Sequence, residues 1–417
     1  MRIAVWHNLP SGGGKRALYD HVRGLTQRGH KVEAWCPPSA DSSYLPLSRL
    51  IPEHVVPLST FAEPRDRAFG AVSAINRHLK AMEDHCRRCA TEIADGGFDL
   101  LFANACQYFR TNPVAHYSTI PRVLYLQEPN RLHYEAHPTL VWSAPRAFAK
   151  SDGYLRYAKR LVRDSIKTYA LRIQVRHERA NAAAFDKVFV NSLFSRESIL
   201  RTYGLESEVC YLGVDTDKFR PTGEPRETYA IGLGGVDVIK GVDRAIQALA
   251  AIPAEKRPRL VWIGNYSDHN AQRAAENLAS ALGVRFELKV RVSDGELVSL
   301  LSRAALMIYT SRLEPFGYAP LEANACGTAV VAVAEGGVRE TVHNGINGLL
   351  VPGADPMLLA NAISRIIDDP LFAHELGQRA MHYVRENWSL PLAIDRLEAS
   401  FEKLLASDGG RVQSAVA

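Results

Sequence analysis

The stretch "RIAVWHNLPSGGGKRALYDHVRGLTQRGHKVEAWC", Arg2 to Cys36, decides the fold. Arg2–Leu9 is a short β-rich run that ends at Pro10 and a glycine cluster. "KRALYDHVRGLTQRGH" then carries Leu18, Val22 and Leu25 at helical spacing, and "KVEAWCP" reads as a second strand. Strand, glycine turn, helix and strand within about 36 residues is a βαβ unit, whose crossover requires a parallel sheet.

The pattern continues outward. "DLLFANA" and "RVLYLQE" are further strands, and "KVFVNS" leads to Ser192, a good N-cap for the helix "LFSRESILRTYG". Residues 212–228 are rich in Pro, Gly and charge, lack periodicity, and read as a linker. Beyond them the alternation restarts. "YAIGLGG", "RLVWIGN" and "LMIYTS" are strands; "GVDRAIQALAAI", "NAQRAAENLASALG" and "DGELVSLLSRA" are helices. Two α/β halves follow, 1–213 and 214–388, and a last helix over 389–406 can pack on either half; residues 407–417 read as frayed.

A chain of 417 residues exceeds what one core usually supports. With 47% hydrophobic and 23% charged residues the composition is that of a globular protein, and no apolar run can span a bilayer. The N-terminus lacks a signal-peptide pattern, so a cytoplasmic protein is expected. The net charge of +5 is too small to argue for nucleic acid. It is unevenly placed, however: between Arg146 and Arg179 there are ten Lys and Arg, interleaved with Tyr154, Leu155, Tyr157, Leu161, Ile166, Tyr169 and Leu171. Such a helix can lie on an anionic membrane surface or pack its stripe on its own domain. The six cysteines are scattered, and Cys86 and Cys89 of "CRRC" have no second metal-ligand pair, so a reduced helix face is expected.

Open α/β sheets take ligands beyond the carboxyl ends of their strands. The loop "PSGGGKR" puts Gly12, Gly13 and Gly14 before Lys15 and Arg16. Its N–H groups and the following helix N-terminus suit an anion, although a tight turn accounts for the glycines equally well. The loop is not GxGxxG, but Glu33 lies about 20 residues on, as in a dinucleotide site. "GLGGVDVIKG" places Lys240 before a helix, as a diphosphate counter-charge or a solvated lysine. In "SRLEPFGYAPLEANACGTAVVAVAEGG", Ser311 to Gly337, seven residues separate Glu314 from Glu322. Pro320 suits a first helical turn, which puts Glu322 in that turn, favoured by free N–H groups. Glu314 sits in a loop ending an apolar strand, where function is expected. Asp215 and Asp217 have D-x-D spacing but fall in the linker, so no metal is expected there.

Taken in order, "SGGGKRALYDHVRGLTQRGHKVEAW", "VNSLFSRESI", "YLGVDTDKF", "KGVDRAIQAL" and "SRLEPFGYAPLEANACGTAVVAVAEGGVRETVHNGINGLLV" resemble the retaining glycosyltransferases of family 4 over nearly the whole chain. The resemblance implies an α/β, GT-B architecture: two Rossmann-like domains with parallel sheets facing an interdomain cleft. It implies a hexose moved from a UDP- or GDP-linked donor to a saccharide, lipid-linked or small-molecule acceptor, with no metal and no cofactor. Carried over residue by residue, Glu322 holds ribose hydroxyls, Glu314 the donor sugar and Lys240 the diphosphate. Leu321 and the backbone of Phe316, Gly317 and Tyr318 line the donor, while Gly12, Gly13 and Gly14 close on the diphosphate. Retention proceeds by front-face attack, the leaving phosphate taking the acceptor proton.

Two positions depart from the family. Gly235 stands where an arginine is usual, with Lys15 or Arg16 as candidate replacements for its charge. Gln127 stands where a histidine is usual, and Gln127 or Glu128 can position acceptor or sugar. The alternatives are an epimerase-like or phosphorylase-like relative, a non-catalytic binding subunit, and a dehydrogenase, which would need the missing GxGxxG.

Overall fold

A computed structural model describes residues 1–59, 70–131, 134–135, 153–265 and 268–414. The chain divides into two units. The first is Met1–Val190, Arg196–Val209 and the chain from Leu397; the second is Asn191–Ser195 and Cys210–Arg396.

In the first unit the elements run β1 (Arg2–Asn8), α1 (Gly13–Gln27), β2 (Lys31–Cys36), β3 (Glu53–Val55), α2 (Ala71–Asp95), β4 (Leu100–Cys106), β5 (Arg122–Tyr125), α3 (Tyr154–Ala183), β6 (Lys187–Val190), α4 (Leu193–Tyr203) and β7 (Glu208–Val209). They form a seven-stranded parallel sheet in the order β3-β2-β1-β4-β5-β6-β7. The central strands β1 and β4 are buried on both faces over almost their whole length, as in a parallel sheet covered on both sides. Leu18, Val22 and Leu25 of α1 are fully buried, as their spacing predicts. Ser192 caps α4: its Oγ accepts from Ser195 N at 2.9 Å.

The second unit runs β8 (Tyr229–Leu233), α5 (Val242–Ala250), β9 (Arg259–Gly264), α6 (His269–Ala281), β10 (Phe286–Val290), α7 (Asp294–Arg303), β11 (Leu306–Tyr309), α8 (Tyr318–Ala325), β12 (Val330–Val333), α9 (Val338–Thr341), β13 (Leu349–Val351), α10 (Pro356–Ile367) and α11 (Pro370–Asn387), followed by α12 (Leu390–Ser414). Its six strands are parallel, in the order β10-β9-β8-β11-β12-β13. The α/β class and paired parallel sheets expected from the sequence are present. From Leu397, α12 counts with the first unit, where Phe401 stands 5.2 Å from Phe102 and 6.3 Å from Phe189 between ring centroids.

Three expectations need correction. First, α8 starts at Tyr318, not at Pro320, so Glu322 lies a full turn inside the helix. Gly317, at φ 98°, turns the chain into the helix early, and a proline in the third position still removes only an N–H that has no intrahelical partner. Second, α12 continues to Ser414, covering 407–414 of the segment expected to fray; residues 415–417 lie outside the described residues. Third, β10, part of no expected strand, is the edge strand "FELKV". All six cysteines are buried free thiols, Cys86 and Cys89 on the buried face of α2. Among the described residues no helix is long and apolar enough to cross a membrane.

Candidate active site

The second sheet reverses its strand order between β8 and β11, so the loops after these neighbours diverge at a topological switch point, where such sheets bind ligands. Lys240 lies in the loop after β8 and Glu314 in the loop after β11. The structure brings them together: Lys240 Nζ donates to Glu314 Oε2 at 2.6 Å, and Ser311 Oγ donates to the same oxygen at 2.8 Å. Burial alone would lower the Lys240 pKa, but the Glu314 carboxylate, with help from Tyr309 and Asp237, outweighs it and raises the value, keeping the ammonium charged.

Local sequence fixes this pair. A Cβ on Gly234 would stand 2.8 Å from Lys240 Cγ, so the lysine stem lies directly on that glycine. Asp237 Oδ1 accepts from Lys240 N at 2.8 Å and shapes the turn. One helical turn on, Arg244 donates to the carbonyls of Val238 at 2.9 Å, Ile239 at 3.1 Å and Thr310 at 3.2 Å, lacing the two loops together. Behind Glu314, the Gly336–Gly337 pair seats the loop. Cβ atoms there would stand 2.4 Å from Glu314 O and 2.2 Å from Pro315 O, and Gly337 N donates to Glu314 O at 2.8 Å.

The other residues singled out in the second unit lie in the same loop and on α8. Phe316 is buried edge-on against Tyr318 and Trp388, so only its backbone is free to meet a ligand. Leu321 is fully buried on α8, and Glu322 is only 5% exposed there. Asn347 holds α8 through Asn324 Oδ1 at 2.9 Å and also donates to Thr341 O at 2.9 Å. Glu340 accepts from Leu193 N at 2.8 Å, Phe194 N at 3.0 Å and Tyr211 OH at 2.9 Å. Sequence reasoning did not single out Arg244, Glu340 or Asn347. Arg244 was within reach, standing in the first turn of α5 directly after the loop that carries Lys240.

In the first unit Gly13 opens α1 and is exposed, and the Gln127 side chain lies against the loop, 3.1 Å from where a Gly14 Cβ would be. Glu128 pairs with Arg110 at 3.4 Å, and Arg16 donates to Tyr44 OH at 2.7 Å. Lys15, the other candidate replacement charge, has a wholly buried side chain; burial lowers its pKa against the opposing pull of Glu53, Cys36 and Asp41 of the same unit. Glu33, at dinucleotide spacing, accepts from His54 at 2.8 Å. Asp215 Oδ1 accepts from Asp217 N at 3.1 Å and Lys218 N at 3.0 Å, an Asx turn.

Two family models match the chain in tandem: "Glycosyltransferase Family 4" over residues 11–218 and "Glycosyl transferases group 1" over residues 215–383. Among curated proteins, the D-inositol 3-phosphate glycosyltransferase 1 of Catenulispora acidiphila is 32% identical over 261 residues, 57% of this chain and 62% of the relative. The D-inositol 3-phosphate glycosyltransferase of Xylanimonas cellulosilytica is 34% identical over 209 residues, 45% of this chain and 50% of the relative. The chain thus spans between half and two thirds of the length of these relatives. Among solved structures, sucrose-phosphate synthase of Thermosynechococcus elongatus superimposes with a TM-score of 0.72 at 20% identity, covering 97% of this chain and 99% of that one. The Anabaena protein HepE, in complex with UDP and glucose, gives 0.66 at 18% identity over 96% and 99%.

Proposed function

The chain belongs to the family 4, group 1 glycosyltransferases and has their GT-B fold, and from that premise we propose that it transfers a hexose from a nucleotide diphosphate sugar to a hydroxyl acceptor. The observation that carries this reading is the Lys240–Glu314 pair at the switch point of the second sheet. A held ammonium beside a carboxylate, flanked by the backbone of Phe316, Gly317 and Tyr318, suits a sugar diphosphate. The cation meets the phosphates, the carboxylate accepts from sugar hydroxyls, and Glu322 on α8 grips the ribose. As the glycosidic bond breaks, charge grows on the leaving diphosphate, where a preorganised cation and N–H groups stabilise the transition state more than the ground state. The anomeric configuration is retained, the leaving phosphate taking the acceptor proton, and no metal enters the step.

The donor base is uracil or guanine, the UDP complexes of the structural neighbours favouring the first. The acceptor is a saccharide, a lipid-linked sugar or a phosphorylated polyol of the kind named for the curated relatives. A lipid-linked acceptor is favoured by α3. Tyr154, Val162 and Tyr169 recur on one face, 82%, 48% and 54% exposed, with Leu155 beside them at 80%. Arg156, Arg160, Arg163 and Lys167 recur on another face, which is the arrangement of a helix lying on an anionic bilayer. Arg146 and Lys150 of the same basic stretch lie outside the described residues.

The test is a panel of UDP- and GDP-sugars offered with and without acceptors, scored for nucleotide release. Wild type is expected to release one nucleotide, and Glu314→Ala and Glu322→Ala to lose turnover. Release from no donor, or equal release by both variants, would overturn the reading.

A further inference from the structure

Beneath the glycine loop of the first unit lies a cluster of polar side chains that sugar transfer does not use. His7 stands near the end of β1, Cys36 ends β2 and Glu53 begins β3. The parallel register pairs Trp6 with Trp35 and Ala34 with Glu53, which brings all three side chains to one face at the carboxyl edge of the sheet. His7 Nε2 is 3.1 Å and Cys36 Sγ 3.8 Å from Glu53 Oε1, and the three ligand atoms lie within 4.8 Å of one another. In tetrahedral zinc the edges between N, O and S ligands are roughly 3.3–3.5 Å, so small side-chain shifts suffice.

His7 Nδ1 and Lys15 Nζ are both buried without a hydrogen-bond partner; neither would ligate the ion, which would sit on His7 Nε2, and the like charge of Lys15 opposes it. The donor set is mixed: imidazole, thiol and carboxylate. That set suits a borderline-soft divalent cation and not magnesium or calcium.

We propose that His7, Cys36 and Glu53 form a zinc-type metal site that braces the first three strands under the glycine loop. On binding, the Cys36 thiol gives up its proton to solvent and becomes a thiolate. The two positive charges of the ion then meet the Cys36 thiolate and the Glu53 carboxylate. The Lys15 ammonium keeps Asp41 as a second counter-charge, so the cluster becomes neutral overall. The ion is structural: the transfer chemistry does not pass through it, and its absence would leave the proposed function standing.

The experiment titrates the reduced, chelator-treated full chain with Co²⁺ and then Cd²⁺. Expected are one equivalent bound per chain, a thiolate-to-metal charge-transfer band, and tetrahedral Co²⁺ d–d absorption. Cys36→Ser should abolish the band, and Glu53→Gln should weaken binding by roughly ten-fold or more. Lys15→Met, which removes the neighbouring positive charge, should tighten it. Far-UV circular dichroism checks that each variant is folded. Where Cys36→Ser is not, X-ray absorption on the zinc-loaded wild type must show one sulfur in the first shell. A wild type that leaves Co²⁺ as the hydrated ion, a band that survives in folded Cys36→Ser, or a shell without sulfur would each overturn the site.

Discussion

Replacing Lys240 by Met tests whether the two loops at the switch point act as one unit. The ammonium and carboxylate of Lys240 and Glu314 are 2.6 Å apart, with side chains 27% and 18% exposed. The pair is therefore neither a solvated bridge, worth about 0.2–1 kcal/mol, nor a fully buried one, whose single disruption costs about 3–5 kcal/mol. Lys240→Met should cost about 2 kcal/mol, because the Glu314 carboxylate loses its charged partner while keeping neutral donors such as the Ser311 hydroxyl. Glu314→Gln should cost about the same or less, since the amide oxygen can still accept. The double variant should cost less than the sum, with a coupling of about 1–2 kcal/mol from a thermodynamic cycle in urea. In thermal unfolding each single variant should lower Tm by roughly 4–8 °C. UDP or GDP should raise the wild-type Tm and do so much less for Lys240→Met. Additivity within about 0.5 kcal/mol would refute the pairing, and an unchanged nucleotide shift would refute its role in holding phosphate.

Gly336→Ala should collapse the Glu314 loop. Its Cβ would meet Glu314 O at 2.4 Å with φ at 61°, a cost of about 2–4 kcal/mol with loss of nucleotide binding; calorimetry checks both. His21 is fully buried against Phe102 and Tyr125 with neither ring nitrogen bonded, and burial lowers its pKa from 6.5 to about 4. Because the unfolded chain takes up this proton first, stability is complete above about pH 6.5 and falls as pH drops toward 4, by roughly 3 kcal/mol. His21→Leu should remove that loss and leave neutral-pH stability equal or higher, as urea midpoints at the two pH values will show. Changing Arg156, Arg160 and Arg163 to Gln should weaken sedimentation with anionic vesicles. Wild-type binding itself should fall with salt, and binding unaffected by either change would remove the membrane role of α3.

The two sheets were legible because buried parallel strands are unbroken apolar runs separated by amphipathic helices. "RIAVWHN" and "LLFANAC" could hardly be read otherwise. The edges were not. β3 and β7 have three residues and two, too few to carry a period, and "FELKV" alternates as an edge strand does. Pro320 does lie in the first turn of α8, but Glu322 was misplaced there because Gly317 had already turned the chain into the helix. At the candidate site, Lys240 and Glu314 were visible as loop residues at strand ends. Their contact was not, since 74 positions separate them and only the adjacency of β8 and β11 makes them neighbours. The burial of Lys15 was likewise hidden: a lysine after a glycine loop reads as a surface cation, and nothing local announces that its side chain lies wholly inside the first unit.

The central claim is that the second unit's loops hold a nucleotide diphosphate, and calorimetric titration of the whole chain with UDP and with GDP tests it most directly. One of the two should bind with a single site per chain. Glu322→Ala and Lys240→Met should each weaken that binding by about ten-fold or more, the size expected for a lost charge-assisted contact of about 1.5–3 kcal/mol. Binding of neither nucleotide, or equal binding by wild type and both variants, would contradict it.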